Sequence, residues 1–309
     1  MIVSVDSVDY VLLPQPPLVG TSETLSFVTD VHESIIGTEE KILLTDIARQ
    51  EFSYSLKAYS AQIKPLFDEL RLNVRSKFLI PMIAEFENAE YLGANLISCD
   101  TSNLSIAVGQ LILLSKGTST EIHTVVDVLE DGIEVEDDVF LSDFIVQPLR
   151  RCIIDGSISS TFGSVLFMPS MNFIVLDGVV YKEEDTPPQH AGSDFYDWCI
   201  LLDGNSIGLS MQQGQALVDS RIGRIWSFTD WGAAKTSLSL RFVMTSRAEL
   251  FNLKRWFYRR KGRFNNFVIP VFDGTSKVNR KYRLASDSIQ FDYKSANIVE
   301  CTVQIIEVL

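Results

Sequence analysis

Histidine is scarce in this chain, and cysteine occurs without any pattern. Only three histidines occur in 309 residues, at 32, 123 and 190, in unrelated contexts. The four cysteines, Cys99, Cys152, Cys199 and Cys301, are far apart, with no CxxC pair and no Cys/His cluster. A zinc site of the usual ligand spacing is thereby excluded. Free, mostly buried thiols in a reducing compartment are expected instead. There is no apolar run near the roughly 20 residues of a membrane helix. No basic stretch followed by an apolar one opens the sequence, so no signal peptide is expected. Nucleophile elbow, P-loop, dinucleotide glycine fingerprint and HExxH are all missing. The acidic clusters Glu39-Glu40, Glu134 to Asp138 and Glu183-Glu184-Asp185 lack the spacing of a calcium loop. No catalytic residue, cofactor or metal is expected from these patterns, and the chain does not read as an enzyme.

Hydrophobic residues make up 46% and charged residues 22%, as in an ordinary globular protein long enough for two domains. The net charge of −13 disfavours nonspecific attraction to nucleic acid or anionic lipid. Its distribution is uneven. From Arg241 to Arg283 there are 12 Lys/Arg against Glu249 and Asp273, a net of +10, which leaves −23 for the remainder.

One arrangement occurs twice. Phe52-Ser53-Tyr54-Ser55-Leu56 has the two-residue alternation of a half-buried strand. Ile63, Leu66, Phe67 and Leu70 then recur at helical spacing, and Phe78-Leu79-Ile80-Pro81 follows a basic stretch. In the second half, Leu238-Ser239-Leu240-Arg241-Phe242 precedes a helix carrying Leu250, Leu253 and Phe257. Basic residues and Phe267-Val268-Ile269-Pro270 follow, with the two Ile-Pro pairs 189 positions apart. Ser246 and Glu249 form a capping-box pattern at the start of that helix. Gly262 suits a left-handed cap at its end. Hairpins are expected at Glu130-Asp131-Gly132 and at Asp177-Gly178, with a closing hairpin from Ser288 to Tyr293 and Ile298 to Val308.

The segment 182–193, acidic and carrying Pro187, Pro188 and Gly192, reads as a solvated linker. The expected organisation is a β-rich domain over 1–181 with a helix near 60–72, the linker, and a β-rich domain over 194–309 with a helix near 247–261. The fold class is mainly β, as α+β, with one principal helix per half.

The basic stretch from Lys254 to Phe264 is the principal functional candidate. Aromatics interleave with Lys254, Arg255, Arg259, Arg260, Lys261 and Arg263, a composition that suits nucleic acid. Three readings stay open: the wet side of a helix, a subunit contact facing an acidic neighbour, or a nucleic-acid surface. Trp226 and Trp231 could stack on sugars, as in a carbohydrate- or receptor-binding domain. At i and i+5 they fall on opposite faces of a regular strand, which suits core anchors better.

Several short segments resemble tail proteins of long-tailed bacteriophages and gene transfer agents, of the tail-tip, distal-tail or hub kind. These are Thr29-Asp30-Val31, Gly37-Thr38-Glu39-Glu40-Lys41, Ile42-Leu43-Leu44, Ala48-Arg49 and the strand Phe52 to Leu56. Val146-Gln147-Pro148-Leu149-Arg150 matches a further segment. Arg247-Ala248-Glu249, the helix after it, Lys261-Gly262-Arg263 and Phe267-Val268-Ile269-Pro270 form the longest match. Lys41, Ala48, Ser246 and Val268 stand where arginine, proline, glycine and tryptophan are common in that group. The resemblance concerns structural residues and brings no catalytic ones. It implies a virion component, assembled in the host cytoplasm, built from two related tail-tube-like β-sandwich or barrel domains. Its partners would be itself, as a ring (a trimer with pseudo-sixfold symmetry, or a hexamer), and tube, hub and fibre proteins.

Overall fold

The computed structural model describes residues 2–5, 8–13, 20–33, 39–55, 58–59, 77–162, 166–178, 207–212, 215–219, 225–229, 235–272, 277–295 and 298–308. The expected helix near 60–72, the linker 182–193, residues 179–181 of the expected hairpin at Asp177-Gly178, and Trp231 lie outside them.

The fold is mainly β. In chain order the first strands are β1 (Ile2–Val5), β2 (Val8–Leu12), β3 (Thr21–Ser26), β4 (Thr29–Glu33), β5 (Glu39–Leu43), β6 (Arg49–Ser55), β7 (Ala58–Tyr59) and β8 (Lys77–Pro81). There follow β9 (Glu87–Gly93), β10 (Leu96–Ser98), β11 (Leu111–Lys116), β12 (Ser119–Val128), β13 (Gly132–Val135), β14 (Phe144–Phe162) and β15 (Leu166–Val175). The second half contributes β16 (Ile207–Gln212), β17 (Gln215–Asp219), β18 (Ile225–Thr229), β19 (Lys235–Met244), helix α1 (Arg247–Arg260), β20 (Phe267–Phe272), β21 (Lys277–Leu284), β22 (Ser288–Ser295) and β23 (Ile298–Glu307).

Alternation of side chains explains the long strands. In β3 the buried positions are Thr21, Glu23 and Leu25; in β22 they are Ile289, Phe291 and Tyr293. A strand with one apolar row must cover that row and can leave the other wet.

Hydrogen bonding joins both halves into one sheet. Its path runs β16, β19, β23, β22, β3, β6, β15, β14, β8, β2, β1. The link between β3 and β22 is central: Ser22 faces Asp292 and Ser26 faces Ser288. The largest core cluster accordingly mixes Val11, Phe52, Phe78 and Phe173 with Phe242, Leu253, Phe291 and Ile305. The expected division at 182–193 is therefore corrected. Its composition marks a polar connection, but the core does not part there, because strands from residues 21–26 and 288–293 complete one another.

A second core does stand apart, within the first half. Strands β14, β11, β12, β13, β10 and β9 pair in that order, and β9 returns to β14. Ile145 of β14 faces Ser115 on one side and Asn88 on the other, so the six strands close into a small barrel. Ile97, Ile112, Leu114, Ile133, Phe144 and Val146 fill it. Closure requires a tight approach at Gly132, where a Cβ would come 2.6 Å from the Ile97 carbonyl oxygen. The hairpin expected at Glu130-Asp131-Gly132 joins β12 to β13 in this barrel, with the Leu129 amide donating to the Gly132 carbonyl at 2.9 Å.

Outside the barrel, one pairing scheme occurs twice. Strand β6 lies between β3 and β15, β15 also pairs with β14, and β14 with β8. Likewise β19 lies between β16 and β23, β23 also pairs with β22 and β21, and β21 with β20. A two-stranded hairpin, β4–β5 or β17–β18, stands between the first two strands of each set. The registers agree around the whole circuit. Phe52 faces Phe173; two residues on, Val175 faces Cys152, which faces Phe78. Leu238 faces Ile305; two residues on, Glu307 faces Tyr282, which faces Phe267. The sequence repeat, Phe52 with Leu238 and Ile80-Pro81 with Ile269-Pro270, thus falls on matching positions. The barrel sits in the connection between β8 and β14, where the second set has a short turn between β20 and β21.

Candidate functional site

Helix α1 carries the start of the basic segment and packs in the large core. Its start follows the sequence expectation: the Ser246 hydroxyl accepts from the Glu249 amide, and the Glu249 carboxylate accepts from the Ser246 amide. Leu250, Leu253 and Phe257 point inward and are nearly inaccessible. Phe251 and Trp256 are buried as well, Trp256 edge-on to Phe267 at 5.4 Å. Burial on more than one side means the helix is clasped, not laid on a surface.

Lys254 overturns the reading of this segment as a surface patch. It is 0% exposed and lies between two buried carboxylates, Glu23 at 2.7 Å and Glu85 at 3.2 Å. Glu23 also accepts from Gln50 Nε2 at 2.7 Å and from the Tyr293 hydroxyl at 2.7 Å. Glu85 accepts from the Ser105 amide at 2.9 Å. Arg150, fully buried on β14, donates to Gln110 Oε1 at 2.8 Å and to Ser105 Oγ at 2.6 Å. Burial by itself lowers the pKa of the Lys254 ammonium; the Glu23 and Glu85 carboxylates outweigh it and hold the group above its ordinary value. The cluster ties β3, β6, β22 and the segment after β8 to the helix. The sequence did carry a signal for this: Leu250, Leu253, Lys254 and Phe257 form one i, i+3, i+4, i+7 stripe, with the lysine on its apolar side.

Most of the other basic residues are engaged within the chain. The Arg255 guanidinium donates to the Ser102 carbonyl at 2.6 Å and lies 4.7 Å from the Phe251 ring. Arg260 donates to the Asn266 carbonyl at 3.2 Å and covers the Phe267 ring. Lys261 pairs with Asp46 at 3.2 Å, and Arg259 is half-buried. Arg263 donates from its backbone and guanidinium to Asp287 and from Nη2 to the Thr29 carbonyl at 2.7 Å. Ahead of them, Arg247 pairs with Glu87 at 3.0 Å and lies over Phe86. The helix thereby bridges the barrel and the large sheet.

The helix ends where expected, and two successive residues there are left-handed. Lys261 itself takes the left-handed conformation, φ 50° and ψ 51°, and its amide donates to the carbonyls of Phe257 and Tyr258. Gly262 is left-handed too, at φ 61°, and a Cβ there would meet Asp287 Oδ1 at 2.5 Å and its Cα at 3.0 Å. Gly262→Ala is expected to cost about 1–3 kcal/mol, from backbone strain plus displacement of the Asp287 carboxylate. A chemical-denaturation midpoint unchanged from the parent would contradict the close approach.

Asp287 gathers donors from Arg263 and from the Thr29 amide at 3.0 Å. Burial acts to raise its pKa, but the Arg263 and Thr29 hydrogen bonds prevail and lower it from 3.8. Its contribution is therefore present above pH 3.8 and is lost as pH falls through the lowered value. Asp287→Asn is expected to destabilise at pH 6 and to show a smaller stability loss between pH 4 and 2 than the parent. Parallel acid titrations of the two proteins would rule this out.

Elsewhere, a groove of about 920 Å³ on the barrel carries Glu90, Asp100, Asp131, Asp143 and Lys116. Beside it, burial first and then Glu87 and Asp100 push the Cys99 thiol up to about 12, far from reactive. Cys99, Cys152 and Cys301 are free and buried. No set of three or more His, Cys, Asp or Glu among the described residues could hold a metal ion. His123 is buried on β12 with Nε2 3.2 Å from Glu121, while His32 lies on β4 beside Asp30. Among the described residues no helix is long and apolar enough to cross a membrane.

Several strand edges stand open among the described residues, those of β1, which pairs only with β2, and of β20, which pairs only with β21, among them. Strand β16 pairs only with β19, and β14 beyond Cys152 pairs only with β15. Comparison with protein-family models and with curated proteins finds no match to this chain.

Proposed function

We propose that the chain is a structural component of a bacteriophage or gene-transfer-agent tail tip or baseplate, forming a ring that connects the tail tube to the hub or fibres. The observation that carries this reading is the pairing scheme that occurs twice with agreeing registers. Two tube-like units in one chain let three copies present six similar faces, joining a sixfold tube to a threefold tip. The tail-protein motifs support it by where they fall. Thr29-Asp30-Val31 starts β4, and Arg247-Ala248-Glu249 through Pro270 spans α1 and β20.

The buried polar residues support a scaffold over an enzyme. Lys254, Glu23, Glu85 and Arg150 satisfy one another or nearby polar groups in the core. Engagement of the basic segment within the chain also weighs against nucleic acid as the partner. Partners are further copies of the chain, the tube protein, and hub and fibre proteins. An antibody raised against the purified chain is expected to decorate the distal end of the tail on particles from the encoding phage. Labelling of the head, or of no particle component, would refute the assignment.

A further inference from the structure

The interface between β3 and β22 joins the two strand sets inside the chain, and its counterpart is open. In the matched registers β3 corresponds to β16, since Ser22 faces Ser53 as Gly208 faces Ser239. In the same way β22 corresponds to the second half of β14, since Phe291 faces Cys301 as Ser160 faces Pro169. Both have an open edge among the described residues, as do β1 and β20. We propose that β16 of one copy pairs antiparallel with residues 157–162 of the next copy, repeating between chains the β3–β22 interface within each chain. The proposal rests on the ring reading above and names the surface that closes it.

The register follows from the internal interface. Thr24 faces Gln290 and Ser22 faces Asp292, so Ser210 would face Ser159 and Gly208 would face Thr161. The sequence of both edges suits a covered position. Strand β16 reads Ile-Gly-Leu-Ser-Met-Gln and residues 157–162 read Ser-Ile-Ser-Ser-Thr-Phe, neither with a charge. Natural edge strands that stay unpaired are usually guarded by lysine, proline, inward charges or bulges; neither segment has a lysine or proline, and the bulge of β14, between Asp155 and Ser159, falls at one end of the segment. The chemistry also shifts in one direction. Glu23, Gln50 and Tyr293, which lock the internal interface, correspond to Leu209, Thr236 and Phe162. The covalently linked interface carries the polar lock, while the one that must assemble from separate chains has leucine and phenylalanine in place of Glu23 and Tyr293. Head-to-tail pairing of this kind is heterologous and closes into a ring when the rotation permits.

The test is a full-length chain carrying Ser210→Cys and Ser159→Cys, mildly oxidised. Directly opposed residues on antiparallel strands lie within disulfide reach. In the shared register the two positions match Thr24 and Gln290, which lie outside the core. Reducible covalent oligomers are expected from the double variant, and none from either single variant or the parent. A ring seen by native mass spectrometry without cross-links would overturn the strand assignment and leave the ring reading standing. Efficient cross-linking of a single variant would overturn it in favour of a like-to-like contact. A single-chain mass at every concentration would overturn both. If the cysteine variants misfold, hydrogen exchange on the parent decides. Amides of 207–212 and 157–162 are expected to slow about tenfold or more on assembly, and unchanged exchange there refutes the pairing.

Discussion

Replacing Lys254 by methionine is expected to lower the unfolding free energy by about 3–5 kcal/mol, the usual cost of breaking a buried ion pair from one side. Methionine keeps most of the volume, so lost packing is a minor part. The loss comes from Glu23 and Glu85, which stay buried without the ammonium that lies 2.7 and 3.2 Å away. Adding Glu23→Gln to that variant is expected to recover about 1–2 kcal/mol by removing one orphaned charge, a coupling of the size double-mutant cycles report for direct neighbours. The pH dependence is specific. The Lys254 pKa is raised in the folded protein, so its contribution is complete below 10.5 and is lost as pH rises through the folded value. Parent and variant stabilities should therefore converge in strong alkali. Urea melts followed by tryptophan fluorescence test both points. A loss under about 1 kcal/mol, the value for an exposed pair, would show that Lys254 is solvated.

The second large effect is expected at Phe257. Truncation to alanine should cost about 3–5 kcal/mol, as for other fully enclosed phenylalanines. Phe257 is 1% exposed, in the last turns of α1, with the Phe27 ring 5.7 Å away. Phe27 precedes β4, so the contact holds the first strand set to the helix of the second. The variant should also red-shift Trp256 emission, because the helix loses an anchor one residue away. Arg259→Ala, on the half-buried side of the same helix, is expected within about 0.5 kcal/mol of the parent. Equal effects at 257 and 259 would contradict the docking of the helix.

What could be read from the sequence was the local part of the structure. The capping box at Ser246 and Glu249, the hairpin from β12 to β13, and the closing pair β22 and β23 all depend on residues a few positions apart. Long-range pairing left no comparable trace. Nothing in Thr21–Ser26 announces that it lies beside Ser288–Tyr293, and that pairing is what removes the boundary at 182–193. The repeat was visible in its apolar residues because matching core positions need similar side chains. The barrel between β8 and β14 was not, because alternating strands look alike whether they extend a sheet or close on themselves. The basic segment misled for a related reason. A lysine among arginines reads as solvated until its carboxylates appear, and Glu85 is 169 residues away.

This arrangement gives α1 a specific place. Its apolar stripe and Lys254 secure the large sheet, while Arg247 and Arg255 reach the barrel at Glu87 and Ser102. The barrel is thereby held beside the sheet by contacts other than its own two connections. An assembly component that transmits force between rings would gain rigidity from such bracing, which accords with the proposed role.

The most direct test of that role is an electron cryomicroscopy reconstruction of the purified chain or of the tail tip that contains it. The expected map has three chains around a threefold axis, six similar strand sets in one ring, and continuous sheet at both the β3–β22 and the β16–β14 junctions. A ring of six full-length chains, or particles containing a single chain, would contradict it.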